Sequence, residues 1–378
     1  MSDPVFNAFR VLLPAARVDF RPEHQAILAR GMRDFSDWAE LVPQAEQHGM
    51  GPLFYTHARE AGIEMPDETA LQLKGLTLRH RLAAAARTQG LTEILAAADG
   101  AGLDVILLKG AAMAHLIYPE PGLRPSRDID LLASPGQADR LQRLVLDLGF
   151  HQDEEVPWDH HHLPTLVKKI NSFSVSVEVH HEAFHFSWRG KEHGGSDWLA
   201  RLRPVTIQGQ PALTFSLGDM LWHSYRHMMS GPIRLMAVAD MLGLVEKFPT
   251  EIDWSRLERD YPGLLNVLAL LHDHSPLSPE VVQAAGIDRR NGHIPFGDDL
   301  RGWSNIPSSH IRVIGLPKFL QLTFTPSDWW LYLYYGADQR QPIWPYRYIS
   351  YPLDRARLIW QRLARQLSSV HHRPVNSA

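Results

Sequence analysis

LLKGAAMAHLIYPEPGLRPSRDIDLL, residues 107–132, is the stretch on which the reading of this chain turns. It overlaps a short apolar run, Val105 to Leu108, of the length of a buried strand. Lys109 and Gly110 stop that run, and AAMAHLIY after them has helical character. PEPGLRP must be a loop, because its prolines and glycine interrupt any regular element. DIDLLA then supplies a second strand. Side chains alternate along a strand, so Ile129 enters the core while Asp128 and Asp130 emerge together on the other side. Two adjacent carboxylates repel, and such a pair is costly unless a cation or a proton lies between them. Oxygen donors of this kind suit Mg²⁺ or Mn²⁺.

Downstream, Ser134 and Pro135 predict the N-cap and first position of a helix. Leu141, Leu144, Val145 and Leu148 recur along it at helical spacing, and Gly149 marks its stop. FSVSVEVH, residues 173–180, alternates clearly. Phe173, Val175, Val177 and Val179 share one face, and Ser174, Ser176, Glu178 and His180 the other. Strand, helix, strand, helix and strand in about 80 residues describe a small α/β unit.

Helical texture lies on both sides of this unit. Residues 20–99 read as helical, and Pro66 and Asp67 open one helix. Its apolar positions Leu71, Leu78, Leu82 and Ala85 fall three, four or seven apart, as the core-facing side of a helix does. After Pro211, Ser216 and Asp219 form a capping-box-like start. A later helix carries Leu235, Val238, Leu242 and Val245 on one face. The aromatic run SDWWLYLYYG reads as core, and a basic amphipathic helix is expected near 353–367. The expected divisions are a helical region over 1–99, a mixed core over 100–212 and a helical region over 213–378.

Composition bounds the function. The chain has 378 residues, enough for a sizeable core without disulfides. Cysteine is absent, which excludes thiol catalysis, Cys-ligated zinc and Fe–S clusters. Lys plus Arg number 38 against 42 Asp plus Glu, a formal net charge of -4 that argues against duplex nucleic acid as a partner. No secretory signal or run long enough to span a membrane is seen, so a cytoplasmic location is expected.

The 107–132 stretch resembles the signature of an uncharacterised nucleotidyltransferase family within the polymerase-beta-type nucleotidyltransferase superfamily. The features that carry it are Lys109-Gly110-Ala111-Ala112, Tyr118 eight residues after Gly110, Arg124 four before Asp128, and the Asp-Ile-Asp-Leu-Leu strand. LGF after the next helix, the V-E-V-H strand and RLMAVADMLGLV extend the likeness over roughly residues 100–245. The resemblance implies an α+β fold, a small mixed-sheet nucleotidyltransferase core flanked by helical N- and C-terminal regions. It implies transfer of a nucleoside monophosphate from an NTP donor to a hydroxyl-type acceptor on a small molecule, peptide or protein. By the same resemblance Asp128, Asp130 and Glu178 bind Mg²⁺ or Mn²⁺ and do the chemistry. Lys109, Gly110, Ala111, Arg124 and Arg127 then meet the nucleotide. Two positions depart from the wider superfamily: Ala111 stands where serine is usual, and Glu178 where aspartate is common.

Four other readings compete. The fold can serve as a catalytically degenerate binding protein. HEAFH at 181–185 matches the H-E-x-x-H pattern of zinc peptidases, which requires a helix through all five residues. His223 and His227 lie one helical turn apart and, with Asp240, form a possible metal set, although packing at a helix contact is the simpler account. The triplet His160 to His162 reads as a solvated loop beside the active sheet, with substrate contact or ligation as its alternatives.

Overall fold

The computed structural model describes residues 10–153, 161–182, 184, 196–230, 233–295, 315–317, 324–357 and 360. The fold is α+β. Seven strands form one mixed sheet: β1 (Val105–Leu107), β2 (Asp128–Ala133), β3 (His151–Gln152), β4 (Leu166–Ile170), β5 (Phe173–His180), β6 (Arg203–Ile207) and β7 (Gln210–Thr214). Their spatial order is β3-β4-β5-β2-β1-β7-β6. The central strand β2 runs antiparallel to β1 and parallel to β5. Its register sets Asp130 opposite Glu178 and Leu132 opposite His180.

The N-terminal helices α1 (Pro22–Met32), α2 (Trp38–Gln47) and α3 (Gly51–Glu60) precede α4 (Asp67–Gly100), which has 34 residues. α4 lies across the apolar face of the sheet. A Cβ on its Gly90 would meet Ile170 Cδ1 at 3.0 Å and Val175 Cγ1 at 3.4 Å, so glycine is what permits the close approach. Val175, Val177 and Val179 are fully buried on that face. Each such side chain contributes about 1.5–3 kcal/mol through burial.

The alternation read from FSVSVEVH is observed over Phe173–His180 without shift. Two local expectations are corrected. The helix after β2, α6 (Ala138–Asp147), starts four residues past Ser134, with Gln137 at its cap. Ser134 and Pro135 instead belong to a turn, closed by the Gln137 N–H donating to the Ser134 carbonyl at 3.0 Å. In α4 the expected core-facing leucines point outward: Leu71, Leu78 and Leu82 are 71%, 58% and 51% exposed. Thr69, Leu73, Thr77, Ala84, Leu91 and Ile94 are buried in their place.

Between β1 and β2 lies the short helix α5 (Lys109–Leu116). After β7 come α7 (Leu217–Ser230) and α8 (Leu235–Lys247), followed by α9 (Trp254–Asp260), α10 (Pro262–His272), α11 (Pro279–Ala285) and α12 (Asp328–Tyr335). The α7 start agrees with the sequence, since Ser216 Oγ accepts from the Asp219 N–H at 3.3 Å. α12 is the aromatic run, and Trp329 to Tyr334 are all buried. Most of the basic helix expected near 353–367 lies outside the described residues. No helix among the described residues is long and apolar enough to cross a membrane.

Candidate active site

The polar face of β2 and β5 looks towards α7 and α8. There Asp130 is 2% exposed and is held from two sides through one oxygen. Lys109 Nζ donates to Asp130 Oδ1 at 2.7 Å, and His180 Nε2 lies 2.9 Å from the same atom. Burial works against the Asp130 charge, but the Lys109 ammonium and the His180 hydrogen bond outweigh it. The carboxyl therefore sits well below the usual carboxylate range. Asp128, two residues earlier on the same face, goes the other way. Repulsion from Asp130, then burial and Glu178, push its carboxyl up to about 7. The two acids thus divide into one firmly ionised and one easily protonated group.

Glu178 faces the same space from β5, its Oε2 3.7 Å from His180 Nε2. Asp130, Glu178 and His180 are the described group whose ligand atoms lie close enough together to hold a metal ion. The carboxylates expected from sequence are therefore brought to adjoining strands, and His180 joins them.

Lys109 opens α5 with a φ of +40°, in the left-handed region that a side chain adopts at a cost of about 1–3 kcal/mol. That turn aims its ammonium at Asp130. Gly110 follows, and its missing Cβ is used by protein atoms. A Cβ there would fall 2.5 Å from Arg124 Nη1 and 2.8 Å from Ser126 Oγ. Ala111 is buried behind it.

Arg124 is anchored rather than free. Its Nε and Nη2 donate to the two Asp240 oxygens at 2.9 and 2.6 Å, and the Tyr118 hydroxyl donates to Asp240 Oδ1 at 2.8 Å. Its third nitrogen, Nη1, is the one against Gly110. Burial opposes its charge, but Asp240 more than compensates, so Arg124 stays protonated. Arg127 is exposed on the loop just before Asp128.

These groups line a cleft of about 340 Å³ with Lys109, Asp128 and Asp130 at its floor and His227, Arg234 and Asp240 on its helical wall. Arg234 has Arg127 and Asp128 among its charged neighbours, and burial first, then Arg127, lower its pKa. Arg87, from α4, closes the far side of Asp128 in an adjoining narrow pocket. Burial pushes its guanidinium down to about 10 against the pull of Asp128. Sequence reasoning missed both arginines. No local pattern marks them, because each lies on a different helical region from the motif.

The rival histidine readings resolve differently. His223 packs against Phe215 and Phe184, with ring centres 5.5 and 5.8 Å apart. Asp240 is committed to Arg124 and Tyr118, so the set His223, His227 and Asp240 is not a metal centre. His227 instead faces the cleft, where desolvation and then the Lys109 charge push its imidazole down to about 4. His181 and Glu182 follow β5 as a bend and an irregular residue, not as the helix that H-E-x-x-H requires. The second histidine of that motif, His185, lies outside the described residues, as does His160.

A mixed sheet carries these acids on adjoining strands, beside a strand–Gly–helix turn, as expected of a nucleotidyltransferase core. Comparison of the sequence with protein families agrees. The model for "Uncharacterised nucleotidyltransferase" matches residues 34–264, more than half of the chain, and the chain belongs to that family. No curated protein matches it. Among solved structures it is similar to ANT(2")-Ia in complex with adenylyl-2"-tobramycin, at 20% identity and a TM-score of 0.33. That match covers 47% of this chain and 95% of that one. It is also similar to an antigenic nucleotidyltransferase-like protein from Paracoccidioides brasiliensis, at 16% identity and a TM-score of 0.31, over 54% and 97% of the two chains.

Proposed function

We propose that this protein transfers a nucleoside monophosphate from a nucleoside triphosphate to a hydroxyl-type acceptor, on a small molecule, a peptide or a protein, with release of pyrophosphate. The single observation that carries this reading is the pairing of Asp130 with Glu178 across parallel strands, beside Asp128 and the Lys109–Gly110 turn. The donor set fits a divalent ion. Three carboxylates share one face, and one of them, Asp128, is pushed up to about 7 by the repulsion a cation would relieve. Asp128, Asp130 and Glu178 would hold Mg²⁺ or Mn²⁺, which supplies Lewis-acid chemistry at the acceptor oxygen and at the phosphates.

The chain's own residues do the rest. Lys109, the Gly110–Ala111 helix start and Arg124 Nη1 offer positive charge and N–H groups to a triphosphate, with Arg127 and Arg234 around the rim and Arg87 behind Asp128 in the adjoining pocket. Asp240 and Tyr118 fix Arg124 so that its free edge faces the cleft. The overall acidity of the chain favours a small molecule, peptide or protein over duplex nucleic acid as acceptor.

The test is a thermal-shift screen of ATP, GTP, CTP and UTP with Mg²⁺ or Mn²⁺, followed by pyrophosphate release with candidate acceptors. A ligand at about 100 times its Kd should stabilise the fold by roughly 2.7 kcal/mol. A metal-dependent shift that Asp128→Asn/Asp130→Asn abolishes supports the reading. A triphosphate shift that survives that double substitution would instead mark a degenerate nucleotide-binding scaffold.

A further inference from the structure

Far from the cleft in sequence, a helical segment near the end of the chain turns apolar side chains to solvent. A π-helix, Tyr346–Ser350, runs into a helical stretch over residues 351–357. Its inner side is fastened to α12. Tyr351 is fully buried, its ring edge-on to Trp330 with centres 5.3 Å apart, and the Arg355 guanidinium lies 4.8 Å from the Tyr351 ring centre. The Tyr335 hydroxyl donates to Asp354 Oδ2 at 2.8 Å, and the Tyr335 and Tyr346 rings stand 4.8 Å apart.

The outer side is apolar. Ile349, Leu353 and Trp360 recur at i, i+4 and i+11, which is one face of a helix, and two residues from Ile349 stands Tyr351 on the opposite face. Tyr348 adjoins Ile349, and Trp344 lies just ahead of the π-helix. All five of these outer residues are more than half exposed, Tyr348 and Trp360 by 72%. Among the described residues no other stretch of this length exposes as many large apolar side chains. A cluster of this kind marks a surface that something covers.

Charge identifies the cover. Residues 338–378 contain seven arginines and two aspartates, with no lysine or glutamate, a formal charge of +5. The whole chain carries -4, so the preceding 337 residues carry -9. Arg340 pairs with Asp338 and Arg347 with Asp328, while Arg357 is exposed on the helical stretch itself. A twofold contact between two copies through this side would set like charges against each other. An anionic bilayer suits both features: it takes Trp, Tyr, Ile and Leu side chains into its headgroup layer, and its phosphates attract arginines.

We infer that this outer side is an interfacial membrane anchor. Trp344, Tyr348, Ile349, Leu353 and Trp360 enter the headgroup layer of an anionic bilayer, and the arginines of the C-terminal segment meet its phosphates. The segment lies on the surface and does not cross it. None of these residues lines the cleft, so the anchor stands apart from nucleotidyl transfer.

The experiment mixes the full chain with vesicles of phosphatidylcholine, alone or with about a third phosphatidylglycerol, and measures flotation. Flotation with the anionic vesicles is expected, with binding to neutral ones weaker by about tenfold or more and most binding lost in about 0.5 M salt. Ile349→Gln/Leu353→Gln alters positions already exposed. It should keep the melting temperature and the triphosphate response while weakening anionic-vesicle binding about tenfold or more. Brominated lipid should quench the tryptophan fluorescence of the bound chain, and Trp344→Phe/Trp360→Phe should remove most of that quenching. No flotation with anionic vesicles, equal flotation with neutral ones, or binding unchanged by Ile349→Gln/Leu353→Gln would each overturn the anchor. Quenching that survives the tryptophan substitutions would do the same. So would a dimer in sedimentation velocity that Ile349→Gln/Leu353→Gln splits, because the face would then belong to a second copy.

Discussion

Arg124 and Asp240, 116 residues apart in the chain, form a two-pronged ion pair buried between the loop before β2 and helix α8. It ties the motif-bearing core to the helical region that walls the cleft. A buried pair of this kind is costly to break, because the surviving charge is left without its counter-ion. Asp240→Asn is therefore expected to cost about 3–5 kcal/mol in urea unfolding and to weaken triphosphate binding. The triple substitution Tyr118→Phe/Arg124→Met/Asp240→Leu should recover most of that stability, since apolar groups of similar size tolerate the site. It should not recover triphosphate binding. If it did, Arg124 would be a structural residue only.

The opposed acids Asp128 and Asp130 predict a pH dependence. Asp130 is held as a carboxylate, whereas Asp128 is protonated below about 7. An ion that uses Asp128 must displace its proton. Mn²⁺ affinity should then rise about tenfold per pH unit up to about 7 and flatten above it, with close to one proton released per ion on the acid side. Calorimetry in two buffers of different ionisation enthalpy measures that proton directly. Asp128→Asn should remove both the slope and the release, and a slope that persisted in the variant would assign it to another group.

At Gly110 the clash is with a guanidinium that cannot step aside. A Cβ would lie 2.5 Å from Arg124 Nη1, and Arg124 is fixed from behind by Asp240. Gly110→Ala should cost about 1–3 kcal/mol, as overpacking does. Because the methyl group displaces Nη1, triphosphate affinity should fall along with stability. Placed in the Tyr118→Phe/Arg124→Met/Asp240→Leu background, where the guanidinium and its counter-ion are both gone, Gly110→Ala should cost less stability than in the unsubstituted chain, and the affinity should stay low.

The parts of the fold legible in the sequence are those whose burial is written in apolar letters. β5 is a run of alternating valines and polar residues, and every valine is buried. Asp128 and Asp130 were legible because a two-residue period leaves one outcome for their direction. α4 was not legible in the same way. Threonines occupy part of its buried side, and they can do so because a helix accepts their hydroxyls: Thr77 Oγ1 donates to the Leu73 carbonyl at 2.8 Å. A satisfied threonine hides as well as a leucine, so the apolar count pointed to the wrong face. Arg87 and Arg234 escaped for a different reason. Their roles arise from tertiary contact with Asp128 across 41 and 106 residues, and nothing in their neighbours signals it.

That explanation of α4 can itself be tested. Leu78 and Leu82 are more than half exposed, so Leu78→Lys/Leu82→Gln should change stability by no more than about 0.5 kcal/mol per site in urea unfolding. Leu73, fully buried on the opposite side, should cost about 2–5 kcal/mol when changed to alanine. Thr77→Val keeps the volume but loses the hydroxyl bond to Leu73, and should cost far less than Leu73→Ala, because donor and acceptor are within a helix whose backbone bond remains. The reverse order, with the Leu78 and Leu82 changes costing several kcal/mol, would mean that the leucine stripe is the packed side after all. The direction of Arg87 towards Asp128 would then have to be abandoned with it, since α4 can present only one face to the sheet.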